Sequence, residues 1–195
     1  MKKMILDILS KYLEIYDEKE RQKRLLEYLS NHNDLEIVDW NNFDGHIVAG
    51  AFIYAKEDGK FLVLYHKDLK MYLYPGGHVD ANDMNPLSAS RREVLEETGL
   101  TNLKQLSVCE DKLIPIDIDT HMIGYNERLK IPEHYHYDFR YLFTIDKIED
   151  VNMDSEELDN YKWISMEELE HDPNYGRIVG KIKNILDFSK SERMI

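Results

Sequence analysis

The chain is poor in cysteine, in positive charge and in long apolar runs. Its one cysteine, Cys109, cannot close an internal disulfide, which excludes a disulfide-stapled scaffold and points to a reducing compartment. No Cys/His spacing suits a structural zinc site. No apolar stretch approaches the ~20 residues needed to cross a bilayer. Met1-Lys2-Lys3 has the look of a signal-peptide start, but Asp7 and Lys11 interrupt the apolar stretch after it. The expected location is therefore cytoplasmic, with no membrane partner. Twenty-five Lys and Arg stand against 38 Asp and Glu, a formal net charge of −13. That balance argues against binding a nucleic-acid polymer, which depends on basic surface, and it suits a protein that holds divalent cations.

What is present is an ordinary globular composition, with 43% hydrophobic residues over 195 positions. This is enough for one domain, or one domain with an extension. The first 40 residues read as helical. Ile5, Ile8, Leu9, Tyr12, Leu13 and Tyr16 form an i, i+3, i+4 stripe. Asp17 with Glu20 reads as a capping box for a second helix through Leu25, Leu26 and Leu29. These helices are expected to serve as a packing extension, with a substrate lid or a homodimer contact as the alternative.

The character changes near Gly45. His46 to Ala55 and Phe61 to Tyr65 are β-rich runs joined by a hairpin signal at Glu57-Asp58-Gly59. Met71 to Tyr74 is a further short strand, closed by Pro75-Gly76-Gly77 read as a turn. Asn85-Pro86 then caps a helix to Thr98, with Gly99 as its left-handed stop. Strands are expected at Leu106 to Cys109, Leu113 to Ile118, His134 to Ile145 and Tyr161 to Ile164. Ser165 and Glu168 form a capping box for a short helix stopped by Pro173, and Ile178, Ile182 and Ile185 mark a C-terminal helix. Mixed strands with a few helices give an α+β class.

On the helix from Asn85 to Thr98, Glu93, Glu96 and Glu97 fall within an arc of roughly 100°, while Leu87 and Val94 point away toward a core. Glu93 and Glu97 are like charges at i, i+4, unfavourable by about 0.2–0.5 kcal/mol. All three sit in the last turns, where the helix dipole also disfavours anions. Arg92 offsets part of this by pairing with Glu96. The remainder suits a hard divalent cation, Mg²⁺ or Mn²⁺.

The run Arg92-Glu93-Val94-Leu95-Glu96-Glu97-Thr98-Gly99-Leu100 resembles the core of the Nudix box of Nudix hydrolases. That box opens with a glycine, a Glu after five residues, and an Arg-Glu pair seven residues later. Here Gly77 is followed by five residues and then Asp83 in place of Glu, and eight residues, Met84 to Arg91, precede Arg92. The box is a variant, and its departures concern the loop's salt bridge. Tyr161-Lys162-Trp163-Ile164-Ser165 followed by Glu167-Glu168-Leu169 resembles the last strand and helix of the same domain. The resemblance implies an α/β/α sandwich around a mixed sheet over residues 45–195, with residues 1–44 as the N-terminal extension.

It also implies a metal-dependent hydrolase that cleaves a diphosphate linkage in a small molecule, often a nucleoside diphosphate derivative. By position Glu93 and Glu97 would be the main ligands of Mg²⁺, with Mn²⁺ as a possible substitute. Glu96 and the carbonyl of Gly77 would complete the site, and Arg92 would orient a carboxylate. Glu156 and Glu157, in the acidic loop before the last strand, are candidates for the general base, Glu157 first, with a solvated loop carboxylate as the alternative.

On a strand, His134, His136, Asp138 and Arg140 share one face and the aromatics the other. Two His and an Asp could ligate a metal in principle, but same-face neighbours lie roughly 6.5–7 Å apart along a strand, awkward for one ion. Two readings stand: a cleft wall, with His136 facing substrate and Arg140 available for phosphate, or a satisfied structural row. His78 points to the same cleft. Tyr72 and Tyr74 are candidates to stack on a base, Tyr74 first, with strand packing as the alternative. Asp117, Asp119 and His121 alternate in the same way with less reason for function. Two further readings share the fold. An isopentenyl-diphosphate-isomerase-like enzyme needs a cysteine acid, and Cys109 lies far from the box in sequence. A non-catalytic ligand sensor usually lacks the box carboxylates that this chain keeps.

Overall fold

A computed structural model of the chain describes residues 1–153 and 156–191. Helices α1 (Lys2–Ile15) and α2 (Lys23–Asn31) come first. Strands β1 (His46–Ala55), β2 (Lys60–His66), β3 (Met71–Leu73) and β4 (Gly76–His78) come next. Helix α3 (Pro86–Thr98) precedes β5 (Lys104–Leu106), β6 (Asp117–Ile123), β7 (His134–Ile145) and β8 (Leu158–Ser165). Helices α4 (Met166–His171) and α5 (Val179–Ser191) come last.

Among the described residues the strands form one mixed sheet. β3, β2, β1, β7 and β5 are successive neighbours, while β4 pairs with β1, β6 with β7 and β8 with β2. β1 and β7 run parallel, in register from His46 opposite His136 to Ala55 opposite Ile145. The alternation of β1 divides the core. Ile47, Ala49, Ala51 and Ile53 pack with Ile5, Leu9, Tyr12 and Val94 on one side. Phe52 packs with Leu142, Leu169, Val179 and Ile182 on the other. Helices therefore cover both faces, giving an α/β/α sandwich of the α+β class. Burial of Ile5, Leu9, Tyr12, Leu25 and Leu29, each worth on the order of 1.5–3 kcal/mol, fastens the first two helices to the same core as the sheet.

The structure corrects several local expectations. α2 starts at Lys23, and its N-cap Gln22 makes no side-chain capping bond, so Asp17 and Glu20 do not form a capping box. The segment between the helices is held instead by Arg21, which pairs with Glu18 at 2.6 Å and with Asp117 at 2.9 Å. α2 ends at Asn31, where the run Asn31 to Asp34 is expected to stop it, and a single 3₁₀ turn at Glu36–Val38 follows before β1. The strand expected at Leu113 to Ile118 begins at Asp117 and continues to Ile123, because the polar alternation Asp117, Asp119, His121 is a true strand face. The strand at Leu106 to Cys109 is shorter and earlier, Lys104–Leu106. Gly76–His78 is a strand and not a turn. It runs against β1, where a Cβ on Gly76 would come within 2.5 Å of the Gly50 Cα, so the glycine pair serves close backbone approach.

Candidate active site

Helix α3 carries the acidic cluster, and both its ends are fixed by local chemistry. The Asn85 side chain accepts from the Ser88 N–H at 2.8 Å, and the Ser88 Oγ accepts from the Asn85 N–H at 3.0 Å. Pro86 occupies the first turn, and Gly99 stops the helix at φ 69° with its N–H donating to the Leu95 carbonyl. The first box residue expected to depart from the pattern, Asp83, still makes the loop's salt bridge. Arg92 Nη2 donates to Asp83 Oδ2 at 2.8 Å and to the His78 carbonyl at 2.9 Å.

The same guanidinium gathers the glutamates. Arg92 Nη1 donates to Glu93 Oε1 at 2.7 Å and to Glu96 Oε2 at 3.0 Å. Glu97 accepts from the Gly76 N–H at 2.8 Å. Gly77 lies so close to Glu93 that a Cβ there would stand 2.6 Å from its Oε2. Burial pushes the Glu93 carboxyl above its ordinary pKa. Arg92 opposes that push, while Glu96 and Asp83 add to it. Glu93, Glu96, Glu97 and Gly77 thus converge on one wall of an open cavity of about 870 Å³.

The opposite wall belongs to β6 and β7. His136, Asp138 and Arg140 line it together with Asp119, His121 and Tyr74. Arg140 is only 3% exposed, and its guanidinium donates to Asp138 at 3.0 Å, to Asp119 at 2.8 Å and to the Tyr74 hydroxyl at 2.9 Å. This changes the phosphate role read from the sequence, since those donors already face carboxylates. Tyr74 likewise donates to Asp138, and its ring packs against Phe52 and Tyr175 at 4.7 and 5.2 Å between centroids, so it is a wall and not an open stacking platform. Tyr72 lies off the cavity lining, with Lys162 over its ring.

His78 and His136 both line the cavity. Partial desolvation, with His134 and Arg92 adding to it, lowers His78 to about 4 although the residue is exposed, and burial with four neighbouring imidazoles puts His136 well below its ordinary value. Glu157 stands at the cavity margin, its side chain 70% exposed and its carboxylate 3.9 Å from His66 Nε2. Glu156 is exposed and does not line the cavity. Cys109 is half-buried outside it, with Sγ 3.5 Å from the Asp111 carbonyl, so no cysteine acid faces the site.

Two groups of residues are silent or faint in the sequence. Arg21 on the α1–α2 connection, Arg177 before α5 and Lys181 on α5 all reach the Asp117–Asp119 pair from outside the sheet. Their signal is the polar alternation of β6, which does not name its partners. His46 reads locally as no more than the start of a strand. The parallel register sets it beside His136, a juxtaposition no local pattern encodes.

A glycine pair facing three glutamates under one arginine, on a mixed sheet between helical layers, defines the class as a Nudix-fold protein. The NUDIX domain family profile matches residues 44–182, and the chain belongs to that family. A relative from Lactococcus lactis subsp. cremoris, named a probable DHNTP pyrophosphohydrolase, is 30% identical over 145 residues, covering 73% of this chain and 81% of that protein. A NUDIX-family hydrolase structure from Clostridium perfringens is 26% identical, with a TM-score of 0.54 over 73% of this chain and 97% of the other. The E. coli dihydroneopterin triphosphate pyrophosphohydrolase shares the fold at a TM-score of 0.54 and 14% identity, over 72% of this chain and 95% of that one.

Proposed function

We propose that this Nudix pyrophosphohydrolase cleaves a phosphoanhydride bond in a small triphosphate or diphosphate ester of a bicyclic base, with dihydroneopterin triphosphate as the first candidate. The observation that carries the reading is the convergence of Glu93, Glu96 and Glu97, held by Arg92 and the Gly76–Gly77 backbone, on one wall of a cavity of about 870 Å³. The candidate substrate follows from the Lactococcus relative. The cavity has the volume for a drug-sized ligand, and Leu73, Tyr74 and Tyr175 supply apolar wall for a base.

The donor set fits Mg²⁺, with Mn²⁺ as a substitute: Glu93, Glu97, Glu96 and the Gly77 carbonyl are hard oxygen donors. The raised Glu93 carboxyl is what a carboxylate shows when its charge is only partly compensated. The bound cation would neutralise phosphate charge and promote ionisation of a water. The chain's own residues do the rest. Arg92 fixes the orientation of Glu93 and Glu96, and the Gly76 N–H fixes Glu97. Glu157, exposed at the margin of the same cavity, is the group we assign to accept the water's proton.

The test is product release from a panel of dihydroneopterin triphosphate, dinucleotides, nucleotide sugars and nucleoside triphosphates, with Mg²⁺ or Mn²⁺, comparing wild type with Glu97→Gln. Turnover lost in the variant supports the reading and begins to name the substrate. Ligand binding without turnover in wild type would replace it with a sensor.

A further inference from the structure

We propose that His46, His134 and His136 form a second metal site, distinct from the glutamate cluster and suited to a borderline transition cation such as Zn²⁺. Register brings them together. His46 on β1 lies opposite His136 on β7, and His134 stands two residues before His136 on the same strand face. The isolated strand spacing of roughly 6.5–7 Å is overcome by the side chains turning inward. One ring nitrogen from each of the three falls within 4.8 Å of the others, and His134 Nε2 lies 3.2 Å from His136 Nε2. Two nitrogens on a tetrahedral Zn²⁺ at about 2.0–2.1 Å stand roughly 3.3–3.4 Å apart, so that pair already has nearly the ligand spacing.

Two independent features point to a ligand. His46 is 1% exposed, yet neither of its ring nitrogens makes a hydrogen bond of good geometry, with only a minor backbone contact to Asn42. A buried neutral imidazole carries one N–H and one lone pair, and leaving both unpaired in the interior is costly. A cation bound through the lone pair would satisfy one of them. His134, in turn, donates Nδ1–H to the Pro132 carbonyl at 2.7 Å, which leaves Nε2 as the lone-pair atom aimed at His136. Metal-ligating histidines are typically held by such a bond from the distal nitrogen to a backbone carbonyl.

Ligand chemistry separates this site from the first. Mg²⁺ takes oxygen donors, whereas imidazole suits Zn²⁺, Co²⁺ and Ni²⁺. Three imidazoles with a remaining position for water match the donor set of a three-histidine zinc centre. Of the three, His136 lines the same cavity as Glu93 and Glu97, and the His78 ring lies 4.7 Å from that of His46.

The experiment uses the full chain purified without a histidine tag, stripped with a chelator and dialysed against Zn²⁺ or Co²⁺ in a large excess of Mg²⁺, which occupies oxygen sites. One Zn²⁺ should be retained per chain. Co²⁺ should give the intense visible bands of a low-coordinate nitrogen site. His134→Gln and His136→Gln should each lose the ion, while Glu97→Gln keeps it. Failure of the wild type to retain Zn²⁺ overturns the proposal, as does retention by the His134→Gln/His136→Gln double variant or loss in Glu97→Gln. Should a histidine variant misfold, X-ray absorption of the wild-type Zn²⁺ form decides: nitrogen scatterers with imidazole multiple scattering support the site, and an all-oxygen shell refutes it. None of these readouts uses turnover, so the outcome is separate from that of the hydrolase test.

Discussion

Asp117→Asn is the sharpest perturbation the structure offers, because it removes one charge and almost no volume. Asp117 is fully buried. Its carboxylate accepts from Arg21 at 2.9 and 3.0 Å, from Lys181 at 2.8 Å, from Arg177 at 3.2 Å and from Arg140 at 3.4 Å. Around it the charges balance: Arg21, Arg140, Arg177 and Lys181 face Glu18, Asp117, Asp119 and Asp138, four against four. The variant leaves one uncompensated positive charge and turns an amide N–H₂ toward cations. Breaking a buried pair from one side costs about 3–5 kcal/mol, a large share of a total stability of about 5–15 kcal/mol. For a chain of this size that is a fall in Tm of roughly 6–20 °C. Urea unfolding should show the midpoint moving with an unchanged slope. The pH dependence supplies a second arm. Burial alone would raise the Asp117 and Asp119 carboxyls, but the cations around Asp117, and His121 with Arg140 beside Asp119, outweigh it and hold both well below the usual carboxylate range. A depressed folded pKa gives stability that is present above the ordinary value and lost as pH falls through the folded one. Wild type should therefore lose stability below about pH 5, and Asp117→Asn should lose less over that interval. A loss under about 1 kcal/mol at neutral pH, the range of exposed pairs, would refute the balanced network.

Arg177→Ala is the matched control. Its side chain is 50% exposed, so its removal should cost no more than about 1 kcal/mol in the same unfolding assay. Arg92→Lys cannot hold Asp83, Glu93 and Glu96 together, and turnover or metal affinity should fall about 10–100-fold with a raised Mg²⁺ requirement, read from rates against Mg²⁺ concentration. Gly77→Ala places a Cβ 2.6 Å from Glu93 Oε2 and should depress kcat at saturating substrate with little change in Tm. Leu9→Ala, in a fully packed position of α1, should destabilise the whole chain by about 2–5 kcal/mol in a single transition; two separate transitions would make residues 1–44 an independent appendage.

The legibility of the fold divides along a physical line. Signals contained in a few neighbouring residues are readable. The Asn85-Pro86 start and Gly99 stop of α3 lie where the turn chemistry puts them, as does the Ser165–Glu168 capping box. The arc of Glu93, Glu96 and Glu97 on α3 follows from helix geometry alone. Signals that depend on a distant partner are not readable. Gly76-Gly77 looks like a turn in sequence because what demands glycine there is Gly50 on another strand and Glu93 on a helix. Asp17 and Glu20 have the spacing of a cap, but the neighbouring Glu18 and Arg21 are recruited by Tyr12, Lys181 and Asp117 instead, and tertiary charge pairing sets the start of α2. Arg140 has the alternation of a cleft residue, which it is, yet only the three-dimensional arrangement shows its donors already committed.

That commitment bears on how the site handles its substrate. Among the described residues two guanidiniums line the cavity, those of Arg140 and Arg177, and both donate to Asp119. Of the histidines that line the cavity, His78 and His136 are held below their ordinary pKa values. The opposite wall adds Glu93, Glu96 and Glu97, of which Arg92 offsets one charge. A polyphosphate entering this cavity meets a neutralised floor and a negative wall, in a chain of net charge −13. Without added cations the field repels the substrate. The prediction is that the charge that draws phosphate in comes with bound divalent ions, so that binding itself, and not the chemical step alone, is metal-dependent. Equilibrium binding of a non-hydrolysable diphosphate analogue, measured by calorimetry with and without Mg²⁺, distinguishes the two. Affinity should collapse when Mg²⁺ is withdrawn, and equal affinity in both conditions would mean that Arg140 or Arg177 leaves its carboxylates to take the phosphate.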